Sequence, residues 1–311
     1  MRCVVVGAGV SGLSCAIRLL ESGYSVEVVS EKFSPETVSD VAAAIWYPFL
    51  TAPADKADKW GIVTYDELER MSEVVPEAGV RMRDGREYLR EEVPLPTWKD
   101  DIAAFRVLQD DEIPEDYIFG WEFRAPVIEM PLYMPWLKRR VEELGGLFEQ
   151  RFIDSLSEID SEIVINCVGL GARDLCDDEL VKPARGQIIF IDQDPGFGHF
   201  DQQPETLTYT IPRSDVTVLG GTAQVDDWDL SIRDEDNDLI LRKVEAIWPE
   251  LDRSKIIGGT VGLRPSRSEV RLEGELIDGT ILVHNYGHGG AGVTLSWGCA
   301  REVVSIIEGF R

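Results

Sequence analysis

Histidine is scarce in this sequence: His199, His284 and His288 are its three. Imidazole is the commonest protein ligand for transition metals, so the scarcity speaks against a histidine-based metal site. The five cysteines, Cys3, Cys15, Cys167, Cys176 and Cys299, are odd in number and contain no CxxC pair. That argues against a disulfide framework or a thiolate metal site and leaves reduced, structural thiols, with His284 and His288 read as core or turn residues. No apolar run approaches the roughly 20 residues of a membrane-spanning helix. The amino terminus shows no signal peptide, because residues 3–6 lead straight into a glycine turn. The expected location is therefore cytoplasmic. Internal repeats and low-complexity segments are also lacking.

Positive charge is in deficit: 31 Lys and Arg stand against 57 Asp and Glu, a net charge of −26. A polyanionic surface repels nucleic acid and anionic membranes, so neither is an expected partner. The charge fits a solvated surface, with adaptation to high salt as the sharper reading. What the chain does have is length and apolar content, 311 residues and 44% hydrophobic, enough to bury a large core.

The chain opens as a β-α-β unit. Residues 3–6 form a continuous apolar run, as a buried parallel strand should. Leu13, Ala16, Ile17 and Leu20 recur at helical spacing over residues 10–21, Gly23 ends that helix, and residues 24–30 form a second strand. Between strand and helix lies Gly7-Ala8-Gly9-Val10-Ser11-Gly12, a GxGxxG turn in the context that gives the motif meaning. Gly7 permits the tight turn, Gly9 lets backbone approach a pyrophosphate, and Gly12 lets helix pack on strand. The helix N-terminus, with Val10 and Ser11, offers N–H groups to phosphate. Glu31 lies nineteen residues after Gly12, where a carboxylate accepts from ribose hydroxyls and repels a 2′-phosphate; Lys32 beside it weakens that repulsion. The fingerprint predicts a dinucleotide without separating FAD from NAD.

Later elements are expected as helices over residues 132–144, 237–248 and 293–307 and as strands at 163–167, 188–191, 216–219 and 281–283. Residues 53–129, rich in proline, aromatics and charge, show little sign of further βαβ units.

Several segments resemble the D-amino-acid oxidase and D-aspartate oxidase family. They are Ser39-Asp40-Val41-Ala42-Ala43-Ala44-Ile45-Trp46-Tyr47-Pro48, then Tyr209-Thr210-Ile211-Pro212 with Leu219-Gly220-Gly221-Thr222. Gly262-Leu263-Arg264-Pro265 and His284-Asn285-Tyr286-Gly287-His288-Gly289-Gly290-Ala291-Gly292-Val293-Thr294 follow, with a weaker echo at Arg185-Gly186-Gln187. The likeness runs from the first strand to the last helix. It implies an α/β fold: a Rossmann-like FAD-binding domain (residues 1–52, 130–186 and 256–311) interleaved with an α+β substrate-binding domain on a mixed sheet (53–129 and 187–255).

By the same resemblance Arg264 binds the substrate carboxylate, Tyr209 donates its hydroxyl to it, and the carbonyl of Gly290 accepts from the amine. Ala42, Ala43, Ala44, Ile45, Gly289, Gly290, Gly292, Val293 and Thr294 hold the flavin, and Ile153 touches the adenine. Ile45, Tyr47 and Ile211 line the side-chain pocket, and Arg213, on the next turn of chain, is a further candidate for it as a source of positive charge. The implied reaction moves a hydride from the α-carbon of a neutral D-amino acid to flavin N5, with O2 as oxidant and a 2-oxo acid, ammonia and H2O2 as products. A homodimer is compatible with it, and no metal is called for. The chain departs from the family where a second tyrosine is common; Glu205 stands there, in a shortened segment over 196–208, which implies a more open entrance. Ala223 stands where the acidic-substrate branch places an arginine, which disfavours D-aspartate. The alternatives are a glycine or sarcosine oxidase, a D-aspartate oxidase, an NAD-dependent dehydrogenase and a non-enzymatic dinucleotide sensor.

Overall fold

The apolar residues that open the chain form a buried strand, and the glycines behind them start a helix. The computed structural model describes residues 1–48, 51–203 and 205–310. In it β1 (Arg2–Val6), α1 (Val10–Glu21) and β2 (Ser25–Ser30) follow one another, and the two strands pair in parallel from Arg2 with Ser25 to Val6 with Val29. α1 turns Leu13, Cys15, Ala16, Ile17 and Leu19 into the core. Arg18 in its last turn complements the carbonyl end of the helix dipole, and Gly23 takes the chain out at φ +84°.

The other strands are β3 (Val80–Leu89), β4 (Phe105–Val107), β5 (Phe119–Ile128), β6 (Leu147–Gln150), β7 (Ile163–Asn166), β8 (Lys182–Ile191), β9 (Gly198–Asp201), β10 (Thr208–Pro212), β11 (Thr217–Gly220), β12 (Gln224–Val225), β13 (Ile256–Ile277) and β14 (Thr280–His288). They join one mixed sheet in the order β4-β5-β3-β9-β10-β11-β8-β13-β14-β7-β1-β2-β6, with β12 added to β8. From β14 to β6 the pairing is parallel. From β4 to β14 it is antiparallel except between β3 and β9. A dinucleotide-type parallel end and an antiparallel end thus share one sheet, and the α/β expectation holds. The sequence boundary at 186/187 falls inside β8, and that at 255/256 falls immediately before β13.

The remaining helices are α2 (Ala54–Val74), α3 (Met130–Glu143), α4 (Ala172–Leu175), α5 (Asp234–Ile247) and α6 (Gly292–Gly309). Among the described residues none is long and apolar enough to cross a membrane. α2 is the longest helix that the sequence does not announce, and β3, β4, β5, β6 and β13 were likewise not expected as separate elements. The prolines of α2, Pro53 and Pro76, stand at the ends and not inside. Its buried face, Ala57, Trp60, Gly61, Thr64, Tyr65, Leu68 and Met71, does repeat at helical spacing, but glycine and threonine dilute the apolar signal.

α2 crosses α6 at Gly298, where an added Cβ would stand 2.1 Å from the Trp60 carbonyl oxygen. Thr64 Oγ1 accepts from the Gly298 N–H at 3.0 Å in the same crossing. Gly298→Ala gains about 1 kcal/mol of helix propensity and meets backbone that cannot swing aside. The expected net loss is about 1–2 kcal/mol, read as a lower melting temperature; an unchanged melt would mean that the helices are not packed here.

Candidate active site

A cavity of about 890 Å³ runs from the C-terminal ends of β1 and β2, past the residues before α2, to β8, β10 and β13. Its first end is the glycine turn. Gly7 sits at φ +107°, and a Cβ there would lie 2.4 Å from the Cys167 carbonyl oxygen. A Cβ on Gly12 would lie 1.9 Å from the Gly7 carbonyl oxygen, so Gly12 serves the turn itself and is not among the residues lining the cavity. Gly9 meets only Ser39 Oγ, at 3.1 Å, and faces the cavity. Ser39 Oγ accepts from the Val10 N–H at 2.9 Å. The first turn of α1 carries no acidic residue, which leaves its N-terminus favourable to phosphate. Val10, Ser11, Glu31, Lys32 and Ile153 line this end. A glycine cradle that a Cβ would fill, a helix N-terminus and a carboxylate beyond β2 fit FAD.

The middle of the cavity is walled by Ala42, Ala43, Ala44 and Ile45. Ala44 takes φ +59°, an unusual conformation for a residue with a Cβ, and its carbonyl accepts from the Ile128 N–H at 2.9 Å. The next residue but one is tied down as well: the Trp46 N–H donates to the Pro126 carbonyl at 2.8 Å and its Nε1 to the Gly61 carbonyl at 2.7 Å. Gly289, Gly290, Gly292 and Val293 stand across the cavity at the start of α6.

Besides Gly12, two residues expected in the site are placed elsewhere. Arg213 is not a lining residue; its Nη2 donates to the Ala42 carbonyl at 2.7 Å and to the Ala43 carbonyl at 3.2 Å. Its guanidinium lies behind the alanine wall because the strand end at Pro212 carries it there. Thr294 does not line the cavity either. Its Oγ1 accepts from the Tyr47 N–H at 3.3 Å and donates to the Tyr47 carbonyl at 3.1 Å, which fixes the backbone of a residue that does line it.

The far end holds Tyr47, Leu207, Tyr209, Ile211, Ala223 and Arg264. Arg264 stands on β13, where Arg264 pairs with Ala184 and Gly262 with Gly186 of β8. Its guanidinium lies flat over Gly186: a Cβ there would come within 2.2 Å of Nη1 and 2.5 Å of Cζ and Nη2. Nη1 donates to the Thr222 carbonyl at 2.8 Å, the sole hydrogen-bond partner of the Arg264 side chain among the described residues. Thr222 is held in turn, its Oγ1 accepting from the Gln187 N–H at 2.9 Å. Tyr209 rests on a glycine floor in the same way. A Cβ on Gly220 would lie 2.1 Å from its Cζ, and one on Gly221 2.8 Å from its hydroxyl. Glu205 is exposed and not among the lining residues.

Two other polar groups that reach this cavity are already engaged. Arg267 donates through Nε to Asp178 at 3.0 Å and through Nη1 to the Glu269 carbonyl at 3.0 Å. His288 Nε2 lies 3.0 Å from Asn285 Oδ1, while Asn285 Nδ2 donates to Cys15 Sγ at 3.2 Å. Oδ1 therefore accepts, and His288 carries its proton on Nε2. Burial lowers the His288 pKa to about 4, so the ring is neutral near pH 7. The sequence reading missed the supporting roles of Gly186, Gly220, Gly221 and the Thr222 carbonyl. Their residues stand in the quoted segments, but the roles depend on which strands lie side by side.

The family model for FAD dependent oxidoreductases matches residues 2–306. A D-amino-acid oxidase from Rubrobacter xylanophilus is 43% identical over 312 residues, covering 98% of this chain and 95% of the relative. A human D-aspartate oxidase is 38% identical over 325 residues, covering 99% and 94%. Among solved structures, a glycine oxidase from Geobacillus kaustophilus superposes with a TM-score of 0.82 at 16% identity, covering 99% of this chain and 95% of that one, a likeness of fold alone. These matches leave the NAD-dependent dehydrogenase and the non-enzymatic sensor without support. The chain belongs to the FAD-dependent oxidoreductase family, with the D-amino-acid oxidases and D-aspartate oxidase.

Proposed function

We propose that this protein is an FAD-dependent oxidase of neutral D-amino acids, yielding 2-oxo acids, ammonia and H2O2. One observation carries the reading: Arg264 has Nη2 and Nε free of described protein partners at the end of the cavity where Ile45, Leu207, Ile211 and Ala223 are otherwise apolar. A planar guanidinium with two free donors matches a carboxylate.

Arg264 grips the carboxylate, and Tyr209 donates its hydroxyl to the same group. The Gly290 carbonyl accepts from the amine. With both ends held, the α-hydrogen of only one enantiomer faces the alanine wall, and positioning supplies much of the rate. FAD, when bound, supplies the two-electron acceptor that O2 regenerates as H2O2 forms. The amine enters neutral, so no base is required of the chain; His288 is held neutral and its Nε2–H is already bonded. The imine product hydrolyses in water.

The side-chain pocket decides among amino acids. A second carboxylate, as in D-aspartate, meets Ala223 and, among the described residues at this end of the cavity, no free cation beyond Arg264, because Arg213 lies behind the alanine wall and Arg267 is paired with Asp178. An unpaired carboxylate in such a pocket costs several kcal/mol. In a peroxide assay of FAD-loaded protein, kcat/KM for D-valine and D-alanine is expected to exceed that for D-aspartate and L-valine by at least ~100-fold. Equal rates on D-aspartate would sink the neutral-pocket reading, and preference for glycine would favour the glycine oxidase alternative.

Two further parts of the reading have support. The five cysteines are free and four are buried, which fits a reducing cytoplasm. Residues 1–52, 130–186 and 256–311 act as the cofactor domain and 53–129 and 187–255 as the substrate domain; the parallel strands β14, β7, β1, β2 and β6 all fall in the first, together with β13 and the start of β8, which pair antiparallel.

A further inference from the structure

Arg213 carries a charge that makes no ion-pair contact among the described residues, its hydrogen-bond acceptors being the Ala42 and Ala43 carbonyls. It is 8% exposed, and its Nε is buried without a partner. Burial lowers its proton affinity, while Asp215, Glu129 and Tyr209 act to raise it. A guanidinium so placed stays charged near pH 7. Both carboxylates are engaged elsewhere. Glu129 Oε1 accepts from Arg81 Nε and from the Ser214 N–H, each at 3.0 Å, and Asp215 Oδ1 accepts from the Val216 N–H at 2.9 Å. A buried cation without an ion pair is costly. It is compensated when negative charge develops close by.

The alanine wall lies between Arg213 and the cavity. In a trans peptide the C=O and the following N–H point in opposite directions. Arg213 holds the carbonyls of Ala42 and Ala43 on its own side, so the N–H groups of Ala43 and Ala44 point away from it, toward the cavity that these residues line. Among the described residues the N–H groups of Ala43, Ala44 and Ile45 have no backbone acceptor. N–H groups left open beside a cavity in this way suit a ligand rich in acceptors. The wall stands between the glycine turn that suits pyrophosphate and Arg264, which is where a dinucleotide's reactive ring has to lie.

We propose that Arg213 is a positioning residue for the cofactor and not a substrate ligand: its charge, and the two N–H dipoles it aligns, stabilise negative charge on the flavin ring. The inference rests on the reading that the ring lies against residues 43–45. Reduction by two electrons places negative charge on an isoalloxazine near neutral pH, so Arg213 favours the reduced form and therefore substrate oxidation.

Sulfite tests this without turnover. Its sulfur forms a bond to N5 of oxidised flavin, the electron pair moves into the ring, and the visible flavin band bleaches reversibly. FAD-loaded wild type, Arg213→Gln and Arg213→Lys would be titrated with sulfite. Gln keeps an amide donor and removes the charge; Lys keeps the charge. The expected Kd for sulfite rises at least about tenfold in Arg213→Gln and stays within about threefold in Arg213→Lys. Wild-type affinity in a folded, FAD-bound Arg213→Gln overturns the inference. So does a raised KM for D-valine with unchanged sulfite affinity, which would return Arg213 to the substrate pocket. Should Arg213→Gln not fold, a tenfold loss in a folded Arg213→Lys overturns it. Wild-type flavin that no D-amino acid reduces would instead overturn the oxidase reading, and the sulfite titration would still decide on Arg213.

Discussion

Arg264→Ala is expected to lower kcat/KM for D-valine by roughly 100-fold or more, mostly through KM, while the bound flavin spectrum stays unchanged. The magnitude follows from the site. Nη1 is already committed to the Thr222 carbonyl, so Nη2 and Nε remain for the carboxylate. Two charge-assisted bonds at about 1.5 kcal/mol or more each come to about 3 kcal/mol. The neighbouring wall is largely apolar, and the tyrosine hydroxyls of Tyr209 and Tyr47 are neutral donors that do not replace a guanidinium. Steady-state kinetics on the purified variant measure this directly; kinetics like those of wild type would remove Arg264 from the site.

Gly186→Ala is expected to reach a similar loss without touching Arg264. The added Cβ would occupy space now held by the guanidinium, 2.2 Å from Nη1. The guanidinium is the mobile end of a long side chain, so it swings away and β8 stays intact. The melting temperature should therefore hold while kcat/KM falls by roughly 100-fold, the size of effect that a displacement of about 1 Å produces in a positioned site. The double variant separates this from general damage. On the Arg264→Ala background Gly186→Ala should cost almost nothing more, because both act through one group. Additive losses would show that Gly186 matters for another reason.

The two halves of the cavity differ in how far they could be read from the chain. The glycine turn, α1, β2 and Glu31 form one continuous stretch, and their chemistry depends on spacing along it. Arg264, Tyr209 and Gly290 were named through resemblance, each inside a short segment. The alanine wall was named too, but the group behind it was not. Arg213 was expected as a positive charge brought to the substrate pocket by the next turn, and its guanidinium instead meets the Ala42 and Ala43 carbonyls. Thr294 was expected against flavin, and its hydroxyl instead holds the Tyr47 backbone. α2 was overlooked because its buried stripe includes Gly61 and Thr64, which carry little hydrophobic signal.

By itself the sequence determined the local matters: a strand, turn and helix that suit a dinucleotide, a carboxylate for ribose, an acidic surface, and an arginine with its tyrosine in recognisable segments. These depend on neighbours within a few residues, where spacing and propensity act directly. Only the tertiary structure decided what stands under and behind those groups. Gly186 meets Arg264 because β8 and β13 share a register, Gly220 meets Tyr209 because β10 and β11 do, and Arg213 reaches Ala42 across 171 residues of chain. Strand order and register are set by the packing of the whole core, and no single segment carries that information.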